Sequence, residues 1–209
     1  GIGVDMNLAP LPVVAGSSTR IDFFVNQKPG NTPVPISLLD ISHAKYMHVL
    51  GIRDDMNEFF HIHPQPVATP GVMSIDHVFT QPGTYKIWSE IMETGVDHVY
   101  GQPTTMVVGA GETSNKQVSF ERTVTVTVSP ELCEKCFTDE YKVMLHTAPT
   151  VGRRRTENLT FEIHDKNGRE LKLEPYLAAD MHLTIVKDDL TTLIHAEGSA
   201  SISVLISVN

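Results

Sequence analysis

The chain is a succession of short segments rich in Val, Ile, Thr and aromatic residues, each closed off by Pro, Gly, Asn or Asp, with almost no helical period between them. These segments are Thr19–Val25, Tyr46–Ile52, Glu58–Ile62, Tyr85–Ile91, Thr104–Val108, Thr123–Val128, Tyr141–Leu145, Leu159–Ile163, His182–Val186 and Ser201–Val208. Strands this short at such regular spacing can bury their apolar faces only against a second sheet, so the pattern predicts an all-β fold of antiparallel β-sandwiches. A length of 209 residues suffices for two small cores. The small, polar stretch 109–116, GAGETSNK, is the least structured in the sequence, which places a first domain over 1–110, a linker over 111–118 and a second domain over 119–209.

An internal repeat supports the division. Met47-His48, Arg53-Asp54-Asp55 and His61 recur as Met181-His182, Lys187-Asp188-Asp189 and His195, without gaps, in the pattern M-H-(x)4-(K/R)-D-D-(x)5-H. The match continues loosely upstream, Arg20-Ile21-Asp22-Phe23-Phe24 against Asn158-Leu159-Thr160-Phe161-Glu162. Little chain follows Gly198, so either the second sandwich is incomplete or the protein continues. An incomplete sandwich exposes sheet edges, which invites protein contacts or self-assembly by strand addition. The start at Gly1, without Met or a signal peptide, reads as a processed or trimmed terminus.

Two signals define the first domain. Gln81-Pro82-Gly83-Thr84-Tyr85, running into Lys86-Ile87-Trp88, resembles the tyrosine corner of immunoglobulin-like folds, in which the Tyr hydroxyl ties back to the preceding loop. Phe23, Val49, Phe60, Phe79 and Ile87 are its expected core.

The second signal is the run Lys45–Pro64, KYMHVLGIRDDMNEFFHIHP. Pairing Tyr46–Ile52 with Asn57–His63 around a turn at Arg53–Met56 sets Ile52 opposite Asn57, His48 opposite His61 and Tyr46 opposite His63. Side chains two apart share a face, so His48, His61 and His63 project from one side, and Met47, Val49, Phe60 and Ile62 from the other. Opposed Cβ atoms lie about 5 Å apart, close enough for two imidazoles to share one ion at bonds of about 2 Å. His43, His98 or water completes this set. The same construction in the repeat opposes His182 to His195 and Asp180 to Glu197, a donor set of two nitrogens and two carboxylates. Imidazole with carboxylate suits zinc, or copper(II) with lower selectivity. The alternative for the second set is that duplication copied His182 and His195 and they serve packing or the Asp-Asp turn.

At these residues the chain resembles a family of exported immunoglobulin-like or cupredoxin-like domains, known as YtkA-like or copper- and heavy-metal-binding. Its members carry MH-(x)n-DL-x-x-F-x-H-x-HP followed by a P-G-x-Y-x-x-W strand, read here as Met47-His48, Asp55-Met56-Asn57-Glu58-Phe59-Phe60-His61-Ile62-His63-Pro64, and Pro82-Gly83-Thr84-Tyr85-Lys86-Ile87-Trp88. The resemblance covers residues 15 to 108 well and 155 to 198 partly, and it implies a periplasmic or cell-surface location and a role in metal handling. The second copy departs from it, since Ala196-Glu197-Gly198 stands where the motif has I-H-P.

Composition and the remaining motifs exclude several classes. A net charge of -9 argues against a nucleic-acid surface. No apolar run approaches the roughly 20 residues of a membrane helix. A blue-copper centre needs a Cys beside two His, and the loop after the Tyr-corner strand holds His98 but no Cys. Cys133 and Cys136 form a C-x-x-C pair without the His that haem attachment needs at position 137, leaving a local disulfide, a redox pair or a thiol pair that helps to bind metal. Neither G-x-S-x-G nor H-E-x-x-H occurs. The expectation is a copper- or zinc-binding protein outside the cytoplasm that binds, buffers or delivers its ion and is not an enzyme; the competing expectation is a cell-surface or filament subunit assembled through its sandwiches, with strand exchange at the sheet edges.

Overall fold

The structure is a computed structural model, which describes residues 1–111, 115–116, 119, 121–128, 139–148, 150, 155–175, 179–198 and 203–208. Cys133 and Cys136, and most of the 111–118 stretch read as a linker, lie outside the described residues. The fold is all-β, built of antiparallel sheets, with one short 3-10 turn among the described residues, at Ile36–Leu38. The chain divides into two compact units, Gly1–Val118 with Lys187–Leu193, and Ser119–Val186 with Ile194–Asn209.

Strands are numbered in chain order. In the first unit one sheet has the order β1 (Ile2–Ala9), β3 (Ser18–Gln27), β8 (Val72–Val78), β7 (Gln65–Pro66), with β4 (Thr32–Pro33) added to β3. The other runs β2 (Val13–Val14), β11 (Thr105–Val108), β9 (Gly83–Glu93), β5 (Met47–Arg53), β6 (Phe59–Ile62), with β10 (Val96–Gly101) also on β9. Only the short β2–β11 contact is parallel among the described pairs. Ile21, Phe23 and Val25 of β3 and Met73 of β8 pack against Met47 and Val49 of β5, Ile87 and Ile91 of β9 and Val107 of β11 in one buried cluster. Each such side chain stabilises the fold by roughly 1.5–3 kcal/mol on leaving water. The five expected core residues all belong here, Phe60 partly buried and packed against the rest. Strand β1 shows the period-2 alternation Ile2, Val4, Met6, Leu8, a signal that the β-branched and aromatic criterion passes over.

The Tyr corner forms as expected: the Tyr85 hydroxyl donates to the Gln81 carbonyl oxygen at 2.9 Å. Burial is the main cause that raises the Tyr85 pKa above its ordinary value, so the phenol stays protonated and keeps this bond.

In the second unit β12 (Thr123–Val128), β13 (Asp139–His146), β14 (Arg155–Asp165) and β17 (Ser203–Val208) form one antiparallel sheet, and β15 (Met181–Val186) and β16 (Leu193–Gly198) form a two-stranded one. Leu145, Leu159, Phe161, Leu183, Ile185 and Ala196 make its small apolar cluster. Among the described residues this unit has no counterpart of β9 beside β15.

A candidate metal centre on the first hairpin

The site is built on β5, the strand between β9 and β6. All seven of its residues are buried, with neighbouring strands along both edges and Met47 and Val49 in the core. The β5–β6 register differs from the expected one. Ile52 opposes Phe59, Gly51 opposes Phe60, Leu50 opposes His61 and Val49 opposes Ile62, so His61 faces Leu50 and not His48. The cause is the position of the turn, which keeps four residues but sits one step later in the chain. Met56 N–H bonds Arg53 O at 2.8 Å, Met56 itself takes a φ of 62°, and the hairpin closes one step later through Arg53 N–H to Glu58 O at 2.9 Å. The Asp55 carboxylate holds this shape, accepting Asn57 N–H at 3.1 Å while pairing with the Arg53 guanidinium at 2.6 and 2.8 Å. The resulting shift is two residues, and an even shift leaves every side chain on its expected face.

The three histidines therefore still meet. Ring centroids are 5.3 Å apart for His48 and His61, 4.9 Å for His48 and His63, and 4.7 Å for His61 and His63. His48 is 1% exposed, and its Nε2 lies 3.0 Å from the Ser42 carbonyl oxygen. A carbonyl only accepts, so Nε2 carries the proton, which leaves the lone pair of the neutral ring on Nδ1. That Nδ1 is 3.1 Å from His61 Nε2. Ser42 is itself fixed by a tight turn: Lys45 N–H bonds Ser42 O and Ser42 N–H bonds Lys45 O, each at 2.9 Å, with His43 at φ 46° and Ala44 at φ 63°. Left-handed conformations at two successive non-glycine residues cost free energy, and here they aim one carbonyl at one imidazole.

Not every sequence candidate joins this group. His43 is exposed on the turn, its ring centroid 6.3 Å from that of His48. His98 opposes Ile91, a core residue, and stacks on Tyr100 at 6.4 Å, so strand alternation puts it on the opposite face of the sheet from His48. In the second unit the rings of His182 and His195 stack with centroids 6.1 Å apart and an interplanar angle of 23°. Asp180 directly precedes β15, and Glu197 lies in β16, its side chain outside the described residues.

Sequence reasoning missed Glu90. It is the Cα partner of His48 across β5–β9, so it shares the imidazole's face, and it is buried. Below this pair on the same face, Leu50 opposes Trp88, both buried, which gives the donors an apolar floor. Pairing between strands nearly forty residues apart leaves no local trace, although the P-G-x-Y-x-x-W signal did locate the strand.

The arrangement can hold a metal ion. Two nitrogens on one tetrahedral ion, at bonds of about 2.0–2.1 Å, stand roughly 3.3 Å apart, close to the His48–His61 spacing. A ligand imidazole donating its other N–H to a backbone carbonyl is the usual outer-shell arrangement around such ions. A family model described as a domain of unknown function, DUF8832, matches the chain over residues 2–108 and 135–202. The chain belongs to this family. Both matched stretches take in a copy of the M-H and D-D repeat, and the first contains the whole histidine cluster. No curated protein matches the chain.

Proposed function

We propose that this DUF8832 chain is a metal-binding β-sandwich protein whose first unit holds a copper or zinc ion through His48, His61 and His63. Its role is to bind, buffer or deliver the ion outside the cytoplasm, without catalysis. The observation that carries the reading is the orientation of His48: Nε2–H is engaged by Ser42 O, and Nδ1 is turned onto His61 Nε2 at 3.1 Å. In the metal-free protein that contact is a hydrogen bond from His61 Nε2–H; an ion would take its place, with His63 as third donor. The resemblance to exported YtkA-like domains supports the location and the metal class.

The test is elemental analysis of the purified protein followed by competition titration with zinc(II) and copper. One ion per chain with a dissociation constant below about 10 µM is expected, and the His48→Ala/His61→Ala variant should lose it. Weaker binding by the wild type would sink the reading, because three imidazoles around one ion do better than that.

A second reading, assembly through sheet edges, draws on β12. An edge strand among the described residues, it reads TVTVTV, is uncharged, and leaves Val124 50% and Val126 40% exposed on one face. If it holds, Val124→Lys/Val126→Lys should convert an oligomer to monomer in sedimentation velocity while metal binding persists.

A further inference from the structure

We infer that the second unit carries an ion site of its own on β13 and β14, where His146, Glu162 and His164 together take one divalent transition ion of the zinc and copper(II) class. The site stands on different residues from the first-unit centre and holds or fails independently of it. In the β13–β14 register His146 opposes Thr160, Met144 opposes Glu162 and Lys142 opposes His164. Alternation puts His146, Glu162 and His164 on one face, and Leu145, Leu159 and Phe161 of the apolar cluster on the other. On the face turned away from that cluster the three side chains converge. His146 Nε2 lies 3.3 Å from Glu162 Oε1, and His164 Nε2 lies 3.6 Å from Glu162 Oε2, so one imidazole stands at each oxygen of a single carboxylate.

An imidazole nitrogen and a carboxylate oxygen are both electron-rich, so their approach needs positive charge between them, either a proton on each ring or one cation shared by all three groups. A proton bridge from imidazolium to carboxylate closes to about 2.7–2.9 Å. Both gaps here are wider, and they come close to the roughly 3.3 Å between two donors on one tetrahedral ion. The His146 side chain is 54% exposed, with room to turn onto a bound ion, and water completes the coordination. Two imidazoles with one carboxylate select zinc or copper(II) over calcium and magnesium, which take oxygen donors. Around His164 the flanking charges offset, with Lys142 as its Cα partner on one side and Glu170 on the other. The layout is that of the first unit in another place: two donors two residues apart on one strand, Glu162 and His164 or His61 and His63, and a third on its neighbour. Three exposed donors bind more weakly and exchange faster than a cluster built on the buried His48.

The experiment removes the first centre to read the second. Zinc(II) is titrated by calorimetry into full-length His48→Ala/His61→Ala, alone and with His146→Ala, His164→Ala or Glu162→Gln added, while histidine ring signals are followed by NMR. The background variant should keep one ion per chain with a dissociation constant on the order of 100 µM. Each added substitution should weaken that binding by about 10-fold or more, and the ring signals of His146 and His164 should shift together on titration. Glu162→Asp, which keeps the charge, should restore part of the affinity lost in Glu162→Gln, and thermal unfolding of the metal-free variants separates a lost ligand from a damaged fold. No zinc binding by the background variant overturns the second site, as does binding that none of the three substitutions weakens. If the wild type binds one tight ion in either case, the first centre stands. Absence of that tight ion, with binding that still depends on Glu162, sinks the first reading and keeps this one.

Discussion

The two β-hairpins, β5–β6 and β15–β16, are copies of one sequence pattern, and they agree in the turn and differ almost everywhere else. In both, the fourth turn residue is left-handed, Met56 at φ 62° and Leu190 at φ 58°. In both it bonds back to the basic residue, Met56 N–H to Arg53 O at 2.8 Å and Leu190 N–H to Lys187 O at 2.9 Å. The second Asp also caps the next N–H in each, Asp55 for Asn57 at 3.1 Å and Asp189 for Thr191 at 3.0 Å. The (K/R)-D-D element of the repeat is thus a turn device, and its recurrence carries no information about metal. The strands around it have diverged. Every residue of β5 is buried between β6 and β9, whereas every residue of β15 is only partly buried, and among the described residues β15 pairs with β16 alone. A shared local pattern specifies a shared local shape, and the neighbours decide what that shape is used for.

The largest expected difference between the hairpins lies in metal binding. His48→Ala/His61→Ala should remove the tight ion, while Asp180→Ala/His182→Ala should leave stoichiometry and affinity within about 2-fold in the same competition titration. Equal losses from both pairs would erase the distinction drawn here.

The turn ion pair comes next. Arg53 and Asp55 are 5% and 8% exposed, Lys187 and Asp189 58% and 44%. Removing one partner of a buried pair strands the other charge, so Arg53→Met should cost on the order of 3–5 kcal/mol in denaturant unfolding. Lys187→Met should not shift the midpoint measurably, although the Lys187 ammonium, aided by Thr191, pulls the Asp189 carboxyl down to about 2.

Packing separates the two at a third position. Gly51 opposes Phe60, and a Cβ at Gly51 would stand 2.1 Å from the ring. The repeat places Ile185 and Ile194 at the matching positions, so one copy fills the slot with one large ring over a glycine and the other with two branched side chains. Gly51→Ala should destabilise by roughly 1–3 kcal/mol, and adding Phe60→Leu should recover part of the loss, read as a shift in unfolding midpoint.

A smaller effect involves pH. His77 packs on Phe60, with ring centroids 4.3 Å apart, and burial lowers its pKa below the ordinary histidine value. The unfolded chain then binds more protons than the folded one over the interval from just above pH 6.5 down to the depressed value. Stability from this group is fully present above about pH 7.5 and is lost as pH falls through that interval; His77→Leu should flatten this part of the stability–pH curve. The smallest expected change is common to both copies. Met56→Gly and Leu190→Gly should each relieve a left-handed residue and raise stability by about 0.5 kcal/mol, and unequal gains would show that the turns are less alike than their bonds.

Much of this was legible in the residues. Alternation and turn punctuation determined the all-β class, the positions of most strands, the Tyr85 bond and the assignment of His48, His61 and His63 to one face, because side-chain parity is a local property of an extended chain. The hairpin register was not, since it depends on how the Asp55 carboxylate and the left-handed Met56 place the turn one step later in the chain. Nor was the exclusion of His98, which needed the β9–β10 register. Only the tertiary structure brought Ser42 O to His48 Nε2 and paired Glu90 with it across the sheet, and only the fold set β9 beside β5, a fully buried strand where β15 is partly buried. Pairing between distant strands is a long-range choice made by the core as a whole, so the chain by itself determined which side chains share a face, and the fold decided which of them face one another.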